Sequence, residues 1–583
     1  MIHIGGMIGA GVSQSRSKTM GCELPFLRKF RNDKDRRDFI ATGSACGVAA
    51  AFSAPIGGCL FAMEETSSFW SHAITWRTLF CCIVAAFFVD FVTQSTAGLT
   101  LNTPDALSHQ AIFQVSSGGG KYLIFELIPF ILLGVIGGLA GSAFIKLNLM
   151  VTSWRVRYIG ARPMFRVLEV VFALFCWTTL VHLAPLLLPC NKIPAANRDS
   201  WDTTMLLRWT CTGEDEFSDL ASLLSVSQTN ALRNLLKQGA AAEFQPLCLA
   251  MFTLIYFFGS AMIAGSTLVS GLMVPFLIVG ASYGRLVGVL MKTYVVPATT
   301  VIEPGLYALI GATSFFGGVS RMTISLSVIM LEITGDMTLL LPIMIAAMVA
   351  KWVGDRFTHS LYDLLIGIQS IPFLESEPAQ LFNILDVSQV MSRNVRSFVV
   401  IPKIRDIVEM LQTTTHHGFP VVDTPNQPRL KGTILRTQLL VLLDTRVWHS
   451  TTARLTYSDF TSKMMNFKKT INEIVLSEED MGMSISLEPY LNQSPFSVHE
   501  GFSLTIAFRL FRTMGLRHLP IVDQRNYVVG IITRKDLLEQ VVEAKHEILM
   551  SKHQLQSGFR QVMKDLRSRS LQQHEDDLKA TVS

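Results

Sequence analysis

The sequence predicts an α-helical membrane protein that is followed by a soluble α/β region. The 583 residues have a mean hydropathy of +0.38, and only 16% of them are charged. Apolar residues concentrate before Leu365, whereas alternating apolar strands and amphipathic helices follow from Val387 onward. Length and composition together indicate several domains, the first of which crosses a membrane.

The first informative element is a tract of small and apolar residues, Gly43 to Glu65, which reads GSACGVAAAFSAPIGGCLFAMEE. Small residues let membrane helices approach each other closely. Pro55 removes a backbone donor, so we expect two short helices that meet within the bilayer. The tract ends in Glu64 and Glu65. Carboxylates at the end of an apolar segment indicate a functional site, and the alternative is a solvated pair just past a helix end.

Further membrane spans are predicted from apolar stretches, several of which are short or interrupted by Gly or Pro. The last stretch is expected to break at Gly335 and Pro342. The stretches are Thr78 to Val92, Tyr122 to Ile145, Val167 to Leu188, Leu247 to Ile263, Leu272 to Leu290, and Thr323 to Val353.

Loop charges predict the orientation in the membrane. The loop Arg16 to Asp38 and the loop from Arg155 to Arg162 are basic, which places both on the cytoplasmic side. The loops Ser95 to Lys121 and Pro189 to Phe244 lack such clusters, so we expect them on the lumenal or extracellular side.

The cysteine pattern excludes a zinc site or a CxxC redox motif, and none of the nine cysteines follows Cys248. Cys190 and Cys211 both lie in the long lumenal loop. A disulfide between them is expected if that compartment is oxidising, and two free thiols are the alternative.

The second half of the chain repeats itself. The segment His416 to Leu443 has the same order of features as Leu516 to Gln540: a basic or His-containing turn, an FPVVD or LPIVD strand, a polar hairpin, a Gly that opens GTIL or GIIT, and the start of a helix.

Each repeat, with its leading helix, resembles a cystathionine-β-synthase (CBS) domain. The resemblance implies a domain pair whose cleft accepts ATP, ADP or AMP. Asp536 would accept the ribose hydroxyls, Thr533 would lie near the phosphates, and His416 stands where an aromatic residue stacks on adenine. A pair without nucleotide that only assists dimerisation is the alternative. Neighbouring His416 and His417 lack a third ligand, so no metal is expected.

The membrane half resembles the CLC family of chloride channels and transporters. The resemblance rests on the tract Gly43 to Glu65, on GLMVP at Gly271 to Pro275, on FFGGVSRMTISLSVIMLEITGD at Phe315 to Asp336, and on the YD pair at Tyr362, all in the family's order. It implies the broken-helix inverted repeat of that family. The RNDKDRRDF loop and the segment Trp209 to Leu224 look most like the endosomal and lysosomal branch.

The resemblance implies an anion site without a full countercharge. Leu272 and Met273 would donate backbone N–H groups from a helix start, and Gly271 and Pro275 would frame that turn. The hydroxyl of Tyr362 would close the central anion site. An ordinary Pro-containing span and an interfacial tyrosine are the alternatives for these two motifs.

Glu65 corresponds to the internal glutamate that distinguishes exchangers of the family from passive channels. Partial burial and the neighbouring Glu64 would help it to take up protons near neutral pH. We interpret Glu332 as a structural hydrogen-bond acceptor.

In the family, a segment like MIHIGG follows closely on a GKEGP motif whose glutamate gates the outer anion site, whereas this sequence begins with Met1. We therefore expect the fold to be incomplete at the N-terminus because of an incomplete gene model. A degenerate subunit that cannot build its own pathway is the alternative.

The expected function is voltage-dependent chloride transport across an intracellular membrane, endosomal or lysosomal, by chloride/proton antiport in a homodimer with cytosolic CBS domains. The alternatives are a nonconducting, nucleotide-sensing regulatory subunit and a passive chloride channel. No catalytic residues, required cofactor, metal or nucleic-acid partner is expected, and an accessory subunit is left open. The expected domains are a membrane domain over 1–365, a linker over 366–386, CBS domains over 387–446 and 485–545 separated by a linker over 447–484, and a charged tail over 546–583.

Overall fold

A computed structural model describes most of the chain, in two compact units: Met1–Ile371 and Pro372–Ser583. The described residues are 1–15, 29–30, 33–96, 122–160, 162–192, 207–213, 216–237, 244–267, 270–295, 302–368, 371–375, 377–449, 460, 464, 467 and 469–551. Most of the lumenal loop before residue 122, the acidic pair Glu214 and Asp215, and the tail beyond residue 551 lie outside them.

The first unit is a set of helices that share one large hydrophobic core. Its described helices are α1 (Ile2–Gln14), α2 (Asp33–Phe52), α3 (Pro55–Phe61), α4 (His72–Thr96), α5 (Leu127–Tyr158), α6 (Pro163–Leu183), α7 (Asp219–Leu224), α8 (Gln228–Leu236), α9 (Pro246–Ile263), α10 (Met273–Leu290), α11 (Pro304–Ser320), α12 (Ile324–Thr334), α13 (Leu340–Asp355) and α14 (Leu361–Ile368).

Six helices within the described residues are long and apolar enough to cross a membrane, so the chain is a multi-pass membrane protein. The shorter apolar helices α3 and α12 contact two of these long helices, α4 and α13 respectively. Ser53 has a left-handed backbone (φ 46°) and Pro55 opens α3, so the predicted break is confirmed, although only α3 is short and α2 has 20 residues.

The predicted second break, at Pro342, is wrong. Gly335 does end α12 with a φ of 68°, but Pro342 lies in the first turn of α13. A proline in the first turn has no intrahelical hydrogen bond to lose, so the helix continues through it.

Close approach of α5 and α11 depends on glycine. A Cβ atom at Gly318 would overlap the backbone of Gly137, whereas one at neighbouring Gly317 would meet its nearest atom at an ordinary 3.5 Å. The two helices are thus in backbone contact along one side of α11.

Arg321 follows α11 in a left-handed conformation (φ 67°) and is buried. Its guanidinium donates to the carbonyl oxygen of Thr358 at 3.1 Å and pairs with Asp355 at 3.3 Å. It occupies the volume that any side chain at Gly354 would need. The end of α11 is therefore held against the end of α13.

On the predicted lumenal side, Cys190 and Cys211 form a disulfide. Two short strands, β1 (Asn191–Lys192) and β2 (Glu216–Phe217), pair antiparallel next to it.

The second unit contains two modules with the same topology. In each, a short strand runs parallel to a central strand, which pairs antiparallel with a third strand, and the register shifts once, between Val421 and Val422 or between Ile521 and Val522. The two halves of the sequence repeat therefore fold alike. The strands are β3 (Phe398–Val399), β4 (Gly418–Val422), β5 (Leu430–Leu435), β6 (Val498–His499), β7 (His518–Val522) and β8 (Val528–Thr533), and the described helices are α15 (Val387–Val390), α16 (Ile404–Thr413), α17 (Arg436–Thr445), α18 (Glu478–Gly482) and α19 (Leu504–Thr513).

Candidate anion and proton site

The start of α10 has the geometry that an anion site needs. Leu272 is the N-cap, Met273 is the first helical residue, and no side-chain hydrogen bond caps this end. The first intrahelical bond runs from the N–H of Phe276 to the carbonyl oxygen of Leu272 (3.2 Å). The backbone N–H groups of Leu272 and Met273 therefore have no partner within the helix. Among the described residues, no atom lies within 4 Å of a Cβ atom built at Gly271.

The structure brings Glu65, Tyr362 and Asp363 together. Glu65 lies in a turn of π-helix, Ala62–Thr66, directly after α3, and is half-buried. Tyr362 is the second residue of α14, is also half-buried, and lies close enough to interact electrostatically with Glu65. The carboxylates of Asp363 and Glu64 also act on Glu65. Two predicted site residues, Glu65 and Tyr362, thus lie in one region, and Asp363 is an addition to it.

The start of α10 and the start of α14 contribute to the same hydrophobic cluster, through Met273 and Leu361. A direct approach of the Tyr362 hydroxyl to the amides of α10 stays a prediction.

Glu64 is exposed, but both of its carboxylate oxygens accept hydrogen bonds from a neighbouring helix. One of its oxygens accepts from the backbone N–H and hydroxyl of Thr323 (2.9 and 3.2 Å), and the other accepts from those of Ser325 (2.9 and 2.6 Å). Glu64 thus binds the first turn of α12. This role was missed from the sequence, where the only signal was the pair of hydroxyl residues at the start of that helix.

Glu332 accepts from the backbone N–H groups of Ile56 (3.0 Å) and Gly57 (2.7 Å), at the first turn of α3. It is therefore a structural hydrogen-bond acceptor, as the sequence predicts.

In the soluble unit, Thr533 and Asp536 are brought together at the end of β8. One oxygen of Asp536 accepts from the backbone N–H and the hydroxyl of Thr533 (3.0 and 2.7 Å). The other accepts from the hydroxyl of Ser392 (3.2 Å) and from the ammonium of Lys545 (3.0 Å). Lys545 also donates to the carbonyl oxygen of Val390 (2.5 Å). Burial alone would raise the pKa of Asp536, but the bonds from Thr533 and Lys545 outweigh it and lower the pKa.

His416 is exposed and meets the ring of Phe419 edge-on, with 6.3 Å between ring centroids. The ring of His518 lies against Gly418 in the same region. Burial, together with His417, Arg517 and His416, lowers the pKa of His518 below its ordinary value of 6.5. Within the described residues, no three His, Cys, Asp or Glu side chains are grouped to hold a metal ion.

Comparison with known proteins agrees with this architecture. A family model for the voltage gated chloride channel matches residues 1–355, and a CBS domain model matches residues 487–543. Chloride channel protein D of Dictyostelium discoideum is 36% identical over 94% of this chain and 61% of its own length. H(+)/Cl(-) exchange transporter 7 of Homo sapiens is 37% identical over 92% of this chain and 67% of its own length.

Among solved structures, the crystal structure of a eukaryotic CLC transporter matches with a TM-score of 0.54 and 19% identity, over 92% of this chain and 75% of that one. That likeness concerns the fold. The chain spans 61% and 67% of the length of the two relatives named above. On the family match and these identities, the chain belongs to the CLC family of voltage-gated chloride channels and transporters.

Proposed function

We propose that this protein exchanges chloride for protons across a membrane. The observation that carries the proposal is a half-buried carboxylate, Glu65, in the same region of the membrane unit as the half-buried Tyr362. An uncharged hydroxyl stabilises an anion without holding it too tightly, and a neighbouring carboxylate carries a proton. The family membership and the identity to an H(+)/Cl(-) exchange transporter support this reading.

Chloride would be bound by dipoles rather than by a countercharge. The backbone N–H groups of Leu272 and Met273 lie at the positive end of the α10 dipole, and the hydroxyl of Tyr362 adds one donor. Gly271 lies just before α10 and Pro275 lies in its first turn, and both shape the start of this helix. Partial charges give an affinity that is high enough to admit the ion and low enough to release it.

Proton transfer would use Glu65. Its carboxylate is half-buried and has Asp363 and Glu64 as negatively charged neighbours. Both conditions favour a carboxylate that takes up and releases a proton near neutral pH. A passive channel needs no such group, so Glu65 favours exchange.

The test is reconstitution of the full chain in liposomes, with chloride and proton movement followed together by two electrodes. A chloride gradient should drive protons, and Glu65→Gln should reduce the proton flux by about a hundredfold while chloride still moves. Tyr362→Phe should weaken chloride transport. Tyr294→Phe, at a tyrosine that is 79% exposed, is the matched control and should leave both fluxes unchanged.

Other outcomes would favour the alternatives. Chloride movement without protons in the wild type would indicate a passive channel. Neither flux, together with retained ATP binding, would indicate a nonconducting regulatory subunit.

We further propose a homodimer in an intracellular membrane, endosomal or lysosomal, whose transport depends on voltage and whose cytosolic CBS pair binds an adenine nucleotide. The likeness of RNDKDRRDF and of Trp209 to Leu224 to the endosomal and lysosomal branch supports the location. The paired modules and the positions of Thr533 and Asp536 support the nucleotide site. Fluorescence microscopy of the tagged full chain tests the location, and titration of the purified protein with ATP tests the nucleotide site.

A further inference from the structure

Helices α3 and α12 cap each other. Glu332, near the end of α12, accepts from the N–H groups that open α3, at Ile56 and Gly57. Glu64, just after the end of α3, accepts from the N–H groups that open α12, at Thr323 and Ser325. Each helix therefore supplies the carboxylate for the first turn of the other, and the two helices run antiparallel.

These carboxylates take the place of local caps. The N-cap residues of the two helices are Ala54 and Thr323, and neither makes a side-chain capping bond. The first N–H groups of a helix lack intrahelical partners and attract negative charge, so a carboxylate that accepts two of them is bound strongly. The pair of contacts consequently ties both ends of α3 to α12.

The two helices are also in steric contact between these ends. A Cβ atom at Gly57 would lie 2.5 Å from the side chain of Ile329 and 3.0 Å from its Cα atom. Glycine at this position lets α3 approach α12 closely enough for the carboxylates to reach. Packing and capping therefore act on the same helix pair.

Glu64 has no acceptor position left for a proton. A carboxylate offers about four lone-pair sites, and the backbone and hydroxyl donors of Thr323 and Ser325 supply four bonds. A proton on Glu64 would require the hydroxyl of Thr323 or Ser325 to turn and accept it, which changes the bonds at the start of α12. The adjacent Glu65 lies in the same turn after α3, and within the described residues it accepts no bond from either helix start.

We propose that Glu64 and Glu332 are positioning residues: by capping α12 and α3 reciprocally they hold Glu65 in place beside Tyr362, and Glu64 itself does not carry the proton. This inference rests on the proposed exchange of chloride for protons. It extends that proposal by separating the roles of two adjacent glutamates.

The decisive variant changes the donors and leaves both glutamates intact. Thr323→Val together with Ser325→Ala removes the two hydroxyl donors to Glu64. Ser327→Ala is the matched control, because the Ser327 hydroxyl on the same helix donates to the carbonyl oxygen of Thr323 and not to Glu64. The full chain is reconstituted, and the ratio of proton to chloride flux is measured.

A positioning role predicts that the Thr323/Ser325 variant lowers the proton flux about tenfold, as expected for a displaced proton-transfer group, while chloride flux falls less. Ser327→Ala should keep the wild-type ratio. Glu332→Gln should shift the ratio in the same direction as the donor variant. If Glu64→Gln abolishes proton flux while the donor variant keeps the wild-type ratio, Glu64 is a relay and the proposal is overturned.

Hydrogen exchange gives a readout that does not depend on transport. In the full chain, peptides covering residues 323–326 should exchange faster in the donor variant, and peptides covering residues 55–58 should exchange faster in Glu332→Gln, than the same peptides in Ser327→Ala. Unchanged exchange would overturn the reciprocal capping even if the wild type proved not to transport protons. If the wild type does not exchange chloride for protons but the variants still show faster hydrogen exchange in these peptides, the proposed function is refuted and the reciprocal capping remains supported.

Discussion

Replacing Lys545 with Met should tighten nucleotide binding to the soluble unit. Both oxygens of Asp536 are already in use, one by Thr533 and the other by Ser392 and Lys545. A ribose that donates two hydroxyl hydrogen bonds to this carboxylate must displace existing donors, since about four lone-pair sites are available. In the proposed nucleotide site, the ammonium of Lys545 would therefore compete with the nucleotide.

The size of the effect follows from the exposure of the ion pair. The Lys545 and Asp536 side chains are 31% and 14% exposed, and their atoms are 3.0 Å apart. A partly exposed pair contributes at most about 1 kcal/mol, which corresponds to a roughly fivefold change in Kd. We expect Lys545→Met to lower the Kd for ATP by about this factor.

The assay is isothermal titration of the purified full chain with ATP. Lys535→Met is the matched control, because this exposed lysine adjoins Asp536 and its removal changes the charge equally, although no bond from Lys535 to the carboxylate is seen in the described region. Weaker binding by Lys545→Met than by Lys535→Met would refute the reasoning, since Lys545 would then contact the nucleotide. Equal affinities of the two variants would show that the ion pair does not compete.

Three other perturbations have outcomes set by the structure. Gly318→Ala should destabilise the protein in detergent by about 1–3 kcal/mol because its methyl group overlaps the backbone of α5. Gly317→Ala is the control and should be tolerated. Thermal unfolding of the two variants measures the difference. Cys190→Ser should lower the free energy of unfolding by about 3 kcal/mol, because it opens a predicted lumenal loop that the disulfide closes across a separation of 21 residues. A reductant should lower the Tm of the wild type by a similar amount and leave the Tm of the variant unchanged. Since the pKa of His518 lies below 6.5 in the folded protein, the unfolded chain takes up the proton first as pH falls, so the soluble unit should lose stability from about pH 7 to 5. His518→Gln should flatten that pH profile, and an unchanged slope would contradict the assignment.

The sequence predicted those parts of the fold and site that depend on local chemistry. Pro55 indicates a helix break because a proline removes a donor wherever it stands, and the structure has that break. Tyr362 and Glu65 belong to short motifs, and the structure places them in the same region of the membrane unit, although their roles in transport stay predictions. The error at Pro342 has a local cause as well, because the sequence did not show that α13 begins only two residues earlier.

What sequence reasoning missed depends on distant pairing. Glu64 meets its partners 259 and 261 residues further along the chain, and Glu332 meets its partners 276 and 275 residues earlier. Lys545 reaches Val390 across 155 residues. Neither periodicity nor motif spacing identifies which donor a carboxylate will meet at such separations, because the helix packing decides it.

The guanidinium of Arg321 fills the space in front of Gly354. This makes the two positions dependent on each other during evolution. A larger residue at position 354 would clash with the guanidinium if it came first, whereas a small residue at position 321, if it came first, would leave a buried void and lose the bonds to Thr358. Substitutions at these two sites should therefore appear together in descendants of this protein, and Gly354→Ala should be rescued by a second change at Arg321.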